Sequence, residues 1–449
     1  MTAATNSARA LSRRPGTLAG RGPLAWLRDL LVVVVLGGAA AIATGDAALP
    51  LIFVIVGAAG VSVALVVFAS PGLSAVLLGA SIPEVQDLTG GHLGLHIAAS
   101  DLLLVLIGGR VLAEATVHQQ APALRALRRV RLPLLQYAWM IVLLLVFHLG
   151  LGTIAKSLQR VELFALPALV GAYLALRGQH MNVLRGYVIG CTLLAIAWSV
   201  DSGGLAAEFQ KNPTGGFIAS AILLLLSVRS LRRWLWCMPV LLVGVALTES
   251  RGALLALGVG VVVIVMFLLH SSAGRRGQML TRVLALIVTA VVVYQFLPSN
   301  VTSRLSNYSA GQKSRSSYAL YIRQEYDADA EHLIAAHPWT GVGVGNYLAG
   351  SNYLGTQTTD PHNVILLEAA EGGYLFAASF LLLIGGLALA MWRLRRVEIA
   401  AAAAAVLLAT FAHGLVDVYW VRGTPVFGFL LVGIVCGVAA NRRATGAPA

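Results

Sequence analysis

The chain has 449 residues, 58% of them hydrophobic and 11% charged, with a mean hydropathy of +0.81. That balance excludes an ordinary soluble domain and makes lipid the solvent of most of the chain. The net charge of +13 would suit a nucleic-acid binder, but the basic residues sort by loop and not by face, which excludes that partner.

A basic tail, 1–28, precedes the first apolar run. With so many further spans behind it, that run reads as an uncleaved anchor and not as a signal peptide. Hydropathy and alternating loop charge predict helices near 29–45, 48–68, 71–82, 94–114, 133–152, 160–176, 184–200, 214–228, 233–249, 251–270 and 280–297. Three more follow near 372–392, 398–416 and 424–440. Most approach the roughly 20 residues that cross about 30 Å of hydrocarbon, and lipid gives the backbone no partner outside a helix. Because 71–82 is short, the total is about twelve to fourteen spans.

Of the 32 Lys and Arg residues, those at 9–28, 110–131, 177–185, 229–233, 275–282, 393–396 and 442–443 fall in every second loop, accompanied only by Asp29, Glu114 and Glu398. The positive-inside rule assigns those loops and both termini to the cytoplasm. Lys156, Arg160, Lys211, Arg251, Arg304, Lys313, Arg315, Arg323 and Arg422 lie on the opposite side, where acids outnumber bases, so a cation there calls for a reason. Cys191, Cys237 and Cys436 sit singly in apolar runs and read as packing residues.

The fold expected is all-α: a cytoplasmic tail 1–28, a transmembrane bundle 29–297, an external catalytic loop 298–371, transmembrane helices 372–440 and a tail 441–449. Within the loop, Ile322, Tyr326, Ala330, Leu333, Ile334 and His337 recur at helical spacing and predict an amphipathic helix over 317–336. Arg323, Asp327 and Glu331 form a polar stripe beside that face. Pro338 ends the helix, and Gly341, Gly343 and Gly345 make a turn-rich loop.

Three residues can carry chemistry. Arg251 opens a membrane helix in Thr248-Glu249-Ser250-Arg251-Gly252, where an ionisable group usually lines a cavity or binds something; the alternative is a snorkelling arginine paired with Glu249. His362, in Asp360-Pro361-His362-Asn363, can accept a proton from an attacking hydroxyl, or simply hydrogen-bond beside a helix start. Arg323 is a further cation, or a solvated charge bridged to Asp327 or Glu331. The glycines of 341–345 lack the strand and helix of a nucleotide loop. Asp327 and Asp329 point to different helix faces, and His332 and His337 lack a third ligand.

Taken together, Thr248-Glu249-Ser250-Arg251-Gly252, Arg323, the string His337-Pro338-Trp339-Thr340-Gly341-Val342-Gly343-Val344-Gly345-Asn346, His362-Asn363, Glu371-Gly372 and His413-Gly414-Leu415-Val416-Asp417 resemble the O-antigen ligase and polymerase superfamily. The resemblance spans roughly 200–420 and includes Asn212-Pro213. It implies an inverting glycosyltransferase without metal or other cofactor, moving a glycan from a polyprenyl diphosphate to a lipid, glycan or protein acceptor on the outer face of the cytoplasmic membrane. Arg251 and Arg323, with Lys156 and Arg160, would bind the donor diphosphate. His362 would activate the acceptor hydroxyl, supported by Asn363, Glu371 and Asp417. Ligase, glycan polymerase and protein O-oligosaccharyltransferase all fit. From another class, a transporter or flippase would use the same residues for an anionic substrate, with Asp101 and Glu162 as coupling sites.

Overall fold

In a computed structural model, the described apolar runs form helices, as a backbone that lipid cannot satisfy requires. The structure describes residues 70–83, 98–118, 121–200, 211–270, 277, 280–284, 310–350, 360–417, 420 and 423–445, and no strand occurs among them. The chain divides into Met1–Ser70 and Pro71–Ala449, and every described helix belongs to the second unit. The tail 1–28, the expected spans at 29–45 and 48–68, and most of 280–297 lie outside the described residues.

The helices are α1 Pro71–Ser81, α2 Ala99–His118, α3 Pro122–Ala126, α4 Arg131–Phe147, α5 Leu151–Leu176, α6 His180–Val200, α7 Lys211–Ser227, α8 Met238–Leu247 and α9 Arg251–Leu269. They continue as α10 Ala310–Ala336, α11 Tyr347–Gly350, α12 Val364–Arg393, α13 Ala400–Gly414 and α14 Val426–Ala444. Six stretches among the described residues are long and apolar enough to cross a membrane: α5, α6, α9, α12, α14 and Arg229–Leu247, a 3-10 turn running into α8. The bent pair Pro122–Arg129 and Arg131–Phe147, at 97°, makes a seventh if it counts as one span. The expected total of about twelve to fourteen spans includes segments outside the described residues.

Small residues let the helices approach closely, the packing that membrane bundles favour. A Cβ on Gly433 of α14 would lie 2.0 Å from the carbonyl oxygen of Ala168 on α5, and one on Gly171 would lie 2.2 Å from that of Leu430. The same device joins α1 to α6, at Gly79, Gly186 and Gly190.

Two features place the site. First, α12 begins at Val364, earlier than the 372 expected, and carries a non-helical break at Gly373. Second, α10 is longer than the predicted 317–336 and packs through the expected face: Ala330, Leu333 and Ile334 bury against Leu367, Ala370 and Ala377 of α12 and against Tyr347.

Candidate active site

The break in α12 frees backbone groups that a continuous helix would pair with each other, and buried groups of that kind require partners. The glycine-rich loop after α10 supplies them. Val342 N–H donates to the Ala370 carbonyl (2.9 Å), Gly343 N–H to the Glu371 carbonyl (2.8 Å), and Tyr374 N–H to the Pro338 carbonyl (2.9 Å). Close approach demands glycine on both sides. At Gly341, with φ +60°, a Cβ would lie 2.2 Å from the Glu371 carbonyl carbon, and at Gly373, with φ +76°, 2.5 Å from that of Trp339.

Side chains reinforce this junction. Glu368 and Glu371, one turn apart on α12, are buried. Arg160 of α5 bridges them, with Nη1 on Glu368 and Nη2 2.6 Å from Glu371. Tyr137 donates its hydroxyl to Glu368 at 2.8 Å, and Glu371 accepts Gly345 N–H at 2.8 Å. Lys156 donates to the Gly345 carbonyl, and Asn346 donates to Thr153 (3.1 Å).

A second cluster surrounds the end of α13. Beyond it, Asp417 lies 3.6 Å from Arg323. Three residues further along α10 from Arg323, the Tyr326 ring stacks on His362 with centroids 5.3 Å apart. A Cβ on Gly252 would lie 2.4 Å from the His413 ring, so the residue after Arg251 rests on α13. Gly414 faces Val364, the first residue of α12. The starts of α9 and α12 thus flank the same end of α13, with Arg323 of α10 reaching the residue just beyond it.

Local chemistry fixes each residue. Thr248 and Ser250 are buried whereas Arg251 is exposed. Glu249 takes φ +52°, and Ser250 caps α9 by accepting Ala253 N–H at 3.2 Å, the usual satisfaction of a helix's first donors. Asn363 caps α12 by accepting from Ile365 at 3.0 Å. His362 has φ +61°, a conformation L residues avoid, and the Asp360 carboxylate holds it there by accepting His362 N–H at 2.7 Å. Nδ1 of His362 lies 3.3 Å from the Asp360 carbonyl, which can only accept. A hydrogen bond there requires the tautomer with the proton on Nδ1, which leaves Nε2 its lone pair. Burial lowers the His362 pKa below its ordinary 6.5. Burial also raises Asp360 to about 7, and it raises Asp327, with Glu331 adding to the effect.

The structure therefore gathers Arg323, Asp417, His362 and Asn363 in one cluster, with Arg251 on the adjoining turn, and Arg160, Lys156 and Glu371 in the other. Asp360 feels charges from both. Sequence reasoning missed Glu368, Tyr137, Tyr326 and Asp360 as site residues. An acid inside the apolar run Val364-Ile365-Leu366-Leu367-Glu368 signalled the first; nothing local signalled Tyr137.

Residues 236–381 match the family model described as O-antigen ligase. No curated protein matches the chain. The matched stretch contains Arg251, Arg323, His362, Asn363, Glu368 and Glu371, while Lys156, Arg160 and Asp417 lie outside it.

Proposed function

We propose an inverting transfer of a glycan from a polyprenyl diphosphate to an acceptor hydroxyl, a reading supported by the match of residues 236–381 to the O-antigen ligase family model. The reaction runs on the outer face of the cytoplasmic membrane and needs no metal. The observation that carries the proposal is the convergence of two arginine-bearing segments and His362 on the end of α13.

Departure of the diphosphate develops charge on phosphate oxygens. Arg251 and Arg323 offer planar donor forks that bind such oxygens at two points. The acceptor hydroxyl is a poor nucleophile until a base begins to take its proton, which Nε2 of His362 can do. Its proton passes to His362 as the new glycosidic bond forms and the bond to the diphosphate breaks. Attack opposite the leaving group inverts the anomeric centre. Lys156 donates to the Gly345 carbonyl and Arg160 bridges the two glutamates, and in this reading Arg251 and Arg323 are assigned to the donor phosphates.

Purified protein supplied with a lipid-linked glycan and an acceptor should transfer in the presence of chelator. Undiminished transfer by both Arg251→Ala and His362→Ala would remove these residues from the reaction. Surface glycoconjugates compared with and without the gene identify the acceptor class. Accumulated lipid-linked glycan with bare acceptor means a ligase, and single repeat units already attached mean a polymerase.

A further inference from the structure

Glu368 and Glu371 bring two carboxylates into the interior, where unpaired charge is strongly disfavoured. Two cations from one face of α5, four residues apart, meet them: Arg160 directly, and Lys156 through the carbonyl of Gly345, whose amide Glu371 accepts. Gly345 is thus gripped at both of its backbone polar groups. A Cβ there would lie 2.1 Å from Cδ of Lys156, so that side chain lies directly across the glycine. The loop held in this way leads out of α10, which carries Arg323 and Tyr326. The helix held in this way begins two residues after His362.

We propose that Arg160 is a positioning residue: by bridging Glu368 and Glu371 it latches the glycine loop onto broken α12 and sets Arg323 and His362 in register. This rests on the transfer reaction proposed above. A donor ligand would present its guanidinium to the phosphates. In Arg160 both terminal nitrogens serve protein carboxylates 208 and 211 positions along the chain.

Hydrogen exchange and transfer kinetics on the purified full chain test the latch. In Arg160→Met and in Glu371→Gln, exchange across 339–346 should accelerate about tenfold or more, because the amides of Val342, Gly343 and Gly345 donate into the junction. Both variants should lose roughly 30-fold or more in kcat while KM for the lipid-linked donor stays within about threefold. Their combination should be no worse than the weaker single variant by more than about threefold, as expected of residues acting as one unit. Arg160→Lys should fold but not recover kcat, since a point charge cannot bridge two carboxylates.

A donor KM raised about tenfold in Arg160→Met with kcat intact, and unaltered in Glu371→Gln, would make Arg160 a donor ligand and overturn the proposal. Unchanged exchange in Arg160→Met overturns it as well, whether or not the protein transfers glycan. Should Arg160→Met not fold, Glu371→Gln keeps the Glu368 pair and decides the matter by the same two readouts. A wild-type chain that transfers nothing would refute the reaction instead, leaving the exchange result to judge the latch alone.

Discussion

Arg323 on α10 lies 3.6 Å from Asp417, beyond the end of α13, with 43% of the arginine side chain exposed. An ion pair so accessible contributes roughly 0–1 kcal/mol, because water and salt screen it. In the transfer proposed above, its value lies in aiming the guanidinium. Arg323→Ala should therefore shift the melting temperature by less than about 3 °C while lowering kcat/KM about 100-fold or more, the loss seen when a donor to developing charge is removed. Thermal unfolding and transfer kinetics on one preparation check both. A large drop in melting temperature with kinetics preserved would make the pair structural.

Burial disfavours the charged imidazolium of His362, so its pKa lies below 6.5. A depressed value means that the neutral form is favoured on folding. Its contribution to stability is complete above 6.5 and is lost as pH falls through the folded pKa. In the transfer proposed above, the neutral form is also the working base. The acid limb of kcat/KM should have its midpoint below 6.5, and His362→Gln should lower the rate by about 10²–10⁴ and abolish that limb. A limb centred above 7 would reassign the base.

Asp360 is displaced in the other direction, to about 7 by burial. Its raised value favours the protonated form on folding, a contribution complete below 3.8 and lost as pH rises through about 7. Asp360→Asn keeps an acceptor for His362 N–H and removes the charge. It should flatten the stability loss between pH 4 and pH 8 and retain much of the activity. Asp360→Ala removes the acceptor that holds φ +61° and should destabilise by about 1–3 kcal/mol, with activity falling alongside. Denaturation at several pH values separates the two variants.

The helices were legible because each crossing demands a continuous apolar run, and α6, α9, α13 and α14 begin and end within a few residues of their expected limits. The buried face of α10 was legible from the spacing of Ala330, Leu333 and Ile334. The start of α12 was not, because Glu368 and Glu371 interrupt its first turns and make them look like loop. Those two acids also pair with Arg160. A cation on an acidic side invites assignment to an anionic donor, and no local pattern could name a partner 208 positions away. Arg323 and His362 were recognised as types, but their meeting at Asp417 depends on how α10 and α13 pack.

Gly373 tests how tightly the glycine loop and broken α12 depend on each other. Its φ of +76° and ψ of −179° form a backbone region that only glycine occupies readily, at a cost of about 1–3 kcal/mol for other residues. A Cβ would also lie 2.5 Å from the Trp339 carbonyl carbon and 2.6 Å from the Pro338 carbonyl oxygen, the acceptor of Tyr374 N–H. Backbone cannot swing aside as a side chain can, so the loop must leave the helix. Gly373→Ala should thus cost on the order of 3 kcal/mol or more, strain and overpacking together. Faster exchange should appear both in 339–346 and around Tyr374. Exchange confined to α12 would mean that the loop is held independently of the break.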